Sequence, residues 1–128
     1  MSCKQKFLLC KLCGNLTELL LDSGVAMVCC GEEMTELVPN TVDASVEKHL
    51  PVVSKEGNNI GVQVGSVPHP MEKEHHIAFV CVKTECGIVQ RCCLEVDNKP
   101  KVQFCACDCK VVAAYAYCNL HGLWKTEI

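Results

Sequence analysis

Val111-Val112-Ala113-Ala114-Tyr115-Ala116-Tyr117-Cys118-Asn119-Leu120-His121-Gly122-Leu123-Trp124-Lys125-Thr126-Glu127 is the stretch on which the fold turns. Its β-branched and aromatic residues, interrupted by one short polar break, predict strands over 111–118 and 123–127. Working outward, further strands are expected over 50–54, 60–64, 77–83, 88–95 and 102–107. Turn residues separate several of them: Glu56-Gly57-Asn58-Asn59, Thr84-Glu85-Cys86-Gly87 and Asp97-Asn98-Lys99-Pro100. Seven short strands at this spacing predict an antiparallel β-sandwich, and the chain as a whole is expected to be mainly β. Thr41 is expected to cap a helical turn through Val42-Asp43-Ala44-Ser45, with Pro51 stopping anything longer.

The first block reads differently. It places Cys10, Cys13, Cys29 and Cys30 around a short apolar strand over 16–21, followed by the turn Asp22-Ser23-Gly24. So few residues cannot close a core alone, and a bound metal would have to staple them. Val38-Pro39-Asn40 is the expected connector, which divides the 128 residues into a small domain over 1–37 and a sandwich over 38–128.

Cys10-x-x-Cys13-Gly14 is a metal knuckle, and Cys29-Cys30-Gly31 supplies a second pair of sulfurs. The glycine lets the backbone turn so that an N–H can point at a thiolate. Neighbours on a strand face opposite ways, so Cys29 and Cys30 need a bend to meet one ion, which should distort the tetrahedron. Four thiolates select zinc or iron, and spacing alone does not separate the two.

A second donor set is spread along the rest of the chain. His49 follows Glu47-Lys48, His69 lies between Pro68 and Pro70, His75 comes six residues later, and Cys118-x-x-His121 is a local chelate. His76 would point away from its neighbour His75 and is left out. A single histidine is more often a surface or core residue than a ligand. Four imidazoles and one thiolate, however, exceed the four ligands of structural zinc and leave an open position suited to catalysis.

These residues resemble a known family, the desulfoferrodoxins, which are two-iron superoxide reductases. The matching segments are Cys10-Lys11-Leu12-Cys13-Gly14, Cys29-Cys30, Asn40-Thr41-Val42-Asp43-Ala44, Glu47-Lys48-His49, His69-Pro70-Met71-Glu72, His75, Cys118-Asn119-Leu120-His121-Gly122 and Trp124-Lys125. The resemblance implies a desulforedoxin-like domain holding iron on Cys10, Cys13, Cys29 and Cys30. It implies an immunoglobulin-like sandwich whose iron has His49, His69, His75 and His121 in a plane and Cys118 as axial thiolate. The activity implied is one-electron reduction of superoxide to hydrogen peroxide. Lys48 would supply positive charge at the mouth of the site, and Glu47 would close the sixth position. The resemblance also implies a homodimer and a rubredoxin-like electron donor. An electron carrier without catalysis and a zinc-stabilised interaction module are the alternatives.

The net charge of -3 and the lack of a basic run argue against a nucleic-acid partner. No segment is apolar enough to span a membrane, and the run Phe7-Leu8-Leu9 is too short for an export signal, so a cytoplasmic protein is expected. Thirteen cysteines leave eight outside both donor sets: Cys3, Cys81, Cys86, Cys92, Cys93, Cys105, Cys107 and Cys109. They are expected to be small core-filling residues, with no native disulfide; Cys105, Cys107 and Cys109 would share one strand face.

Overall fold

The structure is a computed structural model that describes residues 4–106 and 108–128, so Cys3 and Cys107 lie outside the described residues. Strands dominate, and the chain divides into two compact units, Met1–Val38 and Pro39–Ile128.

Among its described residues the first unit has five short strands: β1 (Lys6–Leu9), β2 (Leu16–Leu19), β3 (Val28–Cys29), β4 (Glu32–Glu33) and β5 (Thr35–Glu36). β1 lies between β2 and β5, both antiparallel to it, while β3 and β4 form a separate ribbon. Phe7 and Leu8 are buried, but Leu12, Leu20, Leu21 and Val25 are exposed, so apolar burial holds this unit only weakly. At the expected turn the Gly24 N–H donates to Asp22 Oδ1 at 2.8 Å, and Lys6 pairs with the other oxygen of that carboxylate at 2.9 Å.

The second unit begins with one helical turn, α1 (Val46–His49), then β6 (Pro51–Glu56), β7 (Asn59–Val64), β8 (Ile77–Thr84), β9 (Val89–Cys93), β10 (Lys101–Cys105), β11 (Val111–Cys118) and β12 (Gly122–Glu127). The expected seven strands form two antiparallel sheets, β10-β7-β6 and β12-β11-β8-β9. Alternation makes the core: Ile60, Val62 and Val64 of β7 and Val102 and Phe104 of β10 face Val80 and Val82 of β8 and Ala114 and Ala116 of β11. Register shifts between Val111 and Ala113 and between Tyr117 and Cys118 mark irregularities at both ends of the β11–β8 pair. Cys118 consequently stands opposite Ile77, and both are fully buried. Among the described residues no helix is long and apolar enough to cross a membrane.

The helical turn starts later than expected. Asn40, at φ 62°, lies beside β12, donating from Nδ2 to the Lys125 carbonyl at 3.0 Å and accepting from its N–H at 2.9 Å. Its own N–H donates to the Leu123 carbonyl at 3.0 Å. Asn40 is therefore docked on a strand edge, and helical geometry begins only after Ser45. At the other sheet Gln90 behaves likewise, donating to the Cys105 carbonyl at 2.8 Å and accepting from the Cys105 N–H at 3.2 Å.

The spare cysteines depart from expectation. Cys81 is buried and Cys92 half-buried against the core, but Cys93 and Cys105 are exposed. Strand alternation explains this, since positions 93 and 105 fall on outer faces. β10 ends at Cys105, so no strand carries Cys109. Cys109 instead forms a disulfide with Cys86, a pairing the sequence reading did not anticipate.

Candidate metal centres

In the first unit β1 delivers Cys10 into a tight loop. The Cys10 N–H donates to the Asn15 carbonyl at 2.8 Å and the Gly14 N–H to the Cys10 carbonyl at 2.8 Å. Gly14 takes φ 82°, which turns the Asn15 N–H onto Cys13 Sγ at 3.4 Å. Asn15 Nδ2 also reaches Cys29 Sγ at 3.7 Å. The bend needed between the adjacent cysteines is present: Cys30 adopts φ 53° and Gly31 φ 76°. All four sulfurs lie within 4.8 Å of one another. Cys13–Cys29 and Cys29–Cys30 sulfurs are 3.6 and 4.0 Å apart. Metal–sulfur bonds of ~2.3 Å give a tetrahedron with edges of about 3.8 Å, so these separations suit one ion.

Electrostatics points the same way. The Cys13 N–H, aided by that of Leu12, holds the Cys10 thiol down to about 7 against the opposing effect of its burial. Cys30 is pushed up to about 12 by the crowding of Cys13, Cys10 and Cys29 sulfurs. One thiolate forms readily, but a fourth beside three others needs a cation.

In the second unit five donors from three places converge. α1 supplies His49, the loop between β7 and β8 supplies His69 and His75, and the β11–β12 junction supplies Cys118 and His121. Neighbouring rings pack edge to face around a square, His49–His69 at 4.7 Å, His69–His75 at 4.6 Å, His75–His121 at 5.0 Å and His121–His49 at 4.8 Å between centroids. The diagonal His49–His75 pair is 6.2 Å apart with ring planes 29° from parallel. Cys118 is fully buried, its sulfur 3.8 Å from His121 Nδ1. The thiol thus marks the inner side of the square, while His75 and His121 are half-exposed.

The ring nitrogens show what the square is for. His49 Nδ1 donates to the Ser45 carbonyl at 2.6 Å, and His69 Nδ1 to the Pro70 carbonyl at 2.7 Å. Both Nε2 atoms are therefore bare lone pairs when the rings are neutral, yet they lie only 3.2 Å apart. His121 Nδ1 is 3.1 Å from His49 Nε2. His75 Nε2 is buried with no hydrogen-bond partner. Lone pairs facing one another in a buried space repel unless a cation sits between them. Two nitrogens at right angles on one ion, each bonded at ~2.1 Å, would be about 3.0 Å apart, close to these separations. Burial, opposed by the Pro70 carbonyl, lowers His69 to about 4. His49 is lowered chiefly by burial, with smaller contributions from the charges of His121 and Lys48. Burial thus favours the neutral form of His49, His69 and His75, the form a ligand must take.

Several positioning groups carry no signal in sequence spacing. Asn119 donates to the Glu74 carbonyl at 2.9 Å and accepts from the His76 N–H at 2.8 Å, tying the His75 segment to the Cys118–His121 turn. Trp124 stacks on His49 at 4.9 Å and donates to the His121 carbonyl at 3.1 Å. His76 lies apart from the square, its Nδ1 3.1 Å from the Glu72 carbonyl. Glu47 and Lys48 are exposed on α1; the Glu47 carboxylate lies 3.5 Å from Ser45 Oγ.

A sequence profile of the desulfoferrodoxin family matches residues 41–127. The desulfoferrodoxin of Nitratidesulfovibrio vulgaris is 43% identical over 118 residues, covering 92% of each chain. The solved superoxide reductase of Treponema pallidum superimposes with a TM-score of 0.81 at 41% identity, covering 97% of this chain and 99% of that one. The one-iron superoxide reductase of Giardia intestinalis gives a TM-score of 0.55 at 29% identity, with 97% of its length matched by 64% of this chain. The donor sets Cys10, Cys13, Cys29, Cys30 and His49, His69, His75, His121, Cys118 fit two non-haem irons. With its cysteine cluster, its histidine square and its profile match in one chain, this protein belongs to the desulfoferrodoxin family.

Proposed function

We propose that the chain is a superoxide reductase that converts superoxide to hydrogen peroxide at the histidine square, with the four-cysteine site as an accessory electron relay. The observation that carries this reading is the one-sided square: four imidazoles around one point, a buried thiol on the inner side and half-exposed rings. Similarity to superoxide reductases of T. pallidum and G. intestinalis supports it.

Bound in the square, ferrous iron supplies the single electron that superoxide and two protons need to become hydrogen peroxide. This chain's residues do the rest. The carbonyls of Ser45 and Pro70 fix the tautomers of His49 and His69, so that each presents a lone pair inward. Cys118, whose thiol burial raises while backbone N–H groups of His121 and Leu120 lower it, would hold the ion as a thiolate and supply negative charge from the buried side. Lys48 draws an anion toward a protein whose net charge is -3. Glu47, one residue earlier on α1, would offer its carboxylate to an iron held there between turnovers. Under this reading the active molecule is a homodimer, and a rubredoxin-like protein is the donor.

Stopped-flow mixing of the reduced, iron-loaded protein with superoxide is the direct test. Rapid oxidation with hydrogen peroxide produced and no dioxygen released is expected. Oxidation no faster than uncatalysed decay would leave electron transfer as the protein's role.

A further inference from the structure

We propose that Cys86 and Cys109 form a reversible thiol–disulfide couple that hydrogen peroxide closes and a dithiol reductant reopens, a second redox site separate from both metal centres. The inference rests on the reading above only for the source of the peroxide.

The disulfide joins the turn between β8 and β9 to the segment between β10 and β11. Its two Cα atoms are 6.0 Å apart, inside the roughly 4.4–6.8 Å range that permits a disulfide. Contacts independent of the sulfurs hold that spacing. Thr84 and Val111 are register partners on paired strands, and the Glu85 N–H donates to the Lys110 carbonyl at 2.9 Å. Within the turn, the Thr84 N–H donates to the Ile88 carbonyl at 2.9 Å and the Gly87 N–H to the Thr84 carbonyl at 3.1 Å. Thr84 Oγ1 accepts from the Ile88 N–H at 3.1 Å and lies 3.3 Å from Cys86 Sγ. With the disulfide reduced, the two thiols therefore remain at bridging distance. The couple can cycle without disturbing the sandwich.

Both partners can be reached. Cys86 is exposed, and Cys109 is half-exposed on the wall of an open groove of about 1010 Å³. Among the described residues, the exposed thiols outside the metal sites lack this arrangement. Cys93 stands opposite Phe79 and Cys105 opposite Asn59, so strand pairing gives neither a thiol neighbour. A lone thiol oxidised to a sulfenic acid can continue to irreversible products, whereas a paired thiol stops at the disulfide.

The chemistry balances. One sulfur, as thiolate, attacks a peroxide oxygen and the O–O bond breaks; the departing hydroxide takes up the thiol's proton and leaves as water. The second thiol attacks the resulting sulfenic sulfur. The S–O bond breaks, the S–S bond forms, and a second water leaves. Two electrons pass from the sulfurs to the peroxide oxygens, and a dithiol reductant returns them by exchange.

The iron-loaded protein should be treated with dithiothreitol, desalted and titrated with hydrogen peroxide, then alkylated and mapped by peptide mass. The expected result is labelling of Cys86 and Cys109 after reduction, and loss of nearly all labelling at both with the first equivalent of peroxide. Cys109→Ser should redirect the oxidant, so that Cys86 gains oxygen instead of closing a disulfide. Two results would overturn the proposal: a disulfide that resists the reductant until the protein is denatured, or thiols still labelled after several equivalents of peroxide. The two readings fail separately. The alkylation map reads the couple with added peroxide whether or not the protein reduces superoxide. If the couple closes there while the reduced protein is oxidised by superoxide no faster than uncatalysed decay, the couple stands and the superoxide reductase assignment fails.

Discussion

Cys118 has its sulfur in a fully buried position, and that burial pushes its thiol up while two backbone N–H groups pull it down. A cation in the square tips this balance toward thiolate. Serine is nearly the same size, but its hydroxyl holds its proton far more tightly. Cys118→Ser should therefore leave the four imidazoles in place, abolish sulfur-to-iron charge-transfer absorption and remove nearly all turnover. Full activity would take this residue out of the site. Lys48 acts through charge alone in the proposed mechanism. Lys48→Ala should slow superoxide capture several-fold and flatten its dependence on ionic strength, as measured by stopped flow in graded salt; an unchanged salt slope would show that steering lies elsewhere. The ligand side chains were legible in the sequence because histidine and cysteine announce themselves by type and spacing. The Ser45 and Pro70 carbonyls that orient them were not, since a backbone oxygen leaves no mark on residue identity.

At the scale of elements, α1 and the β7–β8 loop meet at Gly65. It adopts φ 82°, and a Cβ there would press on the Val67 carbonyl and lie 2.7 Å from both the Glu47 carbonyl oxygen and Lys48 Cα. The Val67 N–H already donates to that Glu47 carbonyl at 3.0 Å, and the His69 N–H to the Val64 carbonyl at 3.0 Å. One glycine thus sets the approach of the backbone carrying His49 to the backbone carrying His69. Gly65→Ala should cost about 3 kcal/mol of stability, from backbone strain and crowding together. Iron content at the histidine square should fall with it, read by thermal melts and metal analysis; a wild-type melt with full iron would refute the role. Most strands were legible because apolar alternation is broken by Gly57, Gly87 and the Asp97-Asn98 turn. The late start of α1 was not, because it depends on Asn40 docking against a strand distant in sequence.

As a whole molecule, the two units differ in what holds each together. The second has a continuous apolar core, whereas the first buries Phe7 and Leu8 and leaves several large aliphatic side chains exposed. The small unit depends on an ion among its sulfurs. Cys10→Ser should strip that ion and expose the first unit to proteolysis, while superoxide reduction with an artificial reductant largely survives. Loss of that activity with the second iron still bound would contradict the proposed division of labour. The Cys86–Cys109 pairing could not be foreseen, since the partners have a sequence separation of 23 and only the β8–β11 register brings them together.

Two carboxamides guard the rims of the sandwich. Asn40 occupies both hydrogen-bonding groups of Lys125 on one outermost strand, and Gln90 occupies both of Cys105 on another. An open rim is where β-proteins stick to one another, because any extended peptide can add itself there rung by rung. Here a newcomer would first have to evict a side chain already imitating it, so the molecule is shielded at those rungs from runaway aggregation.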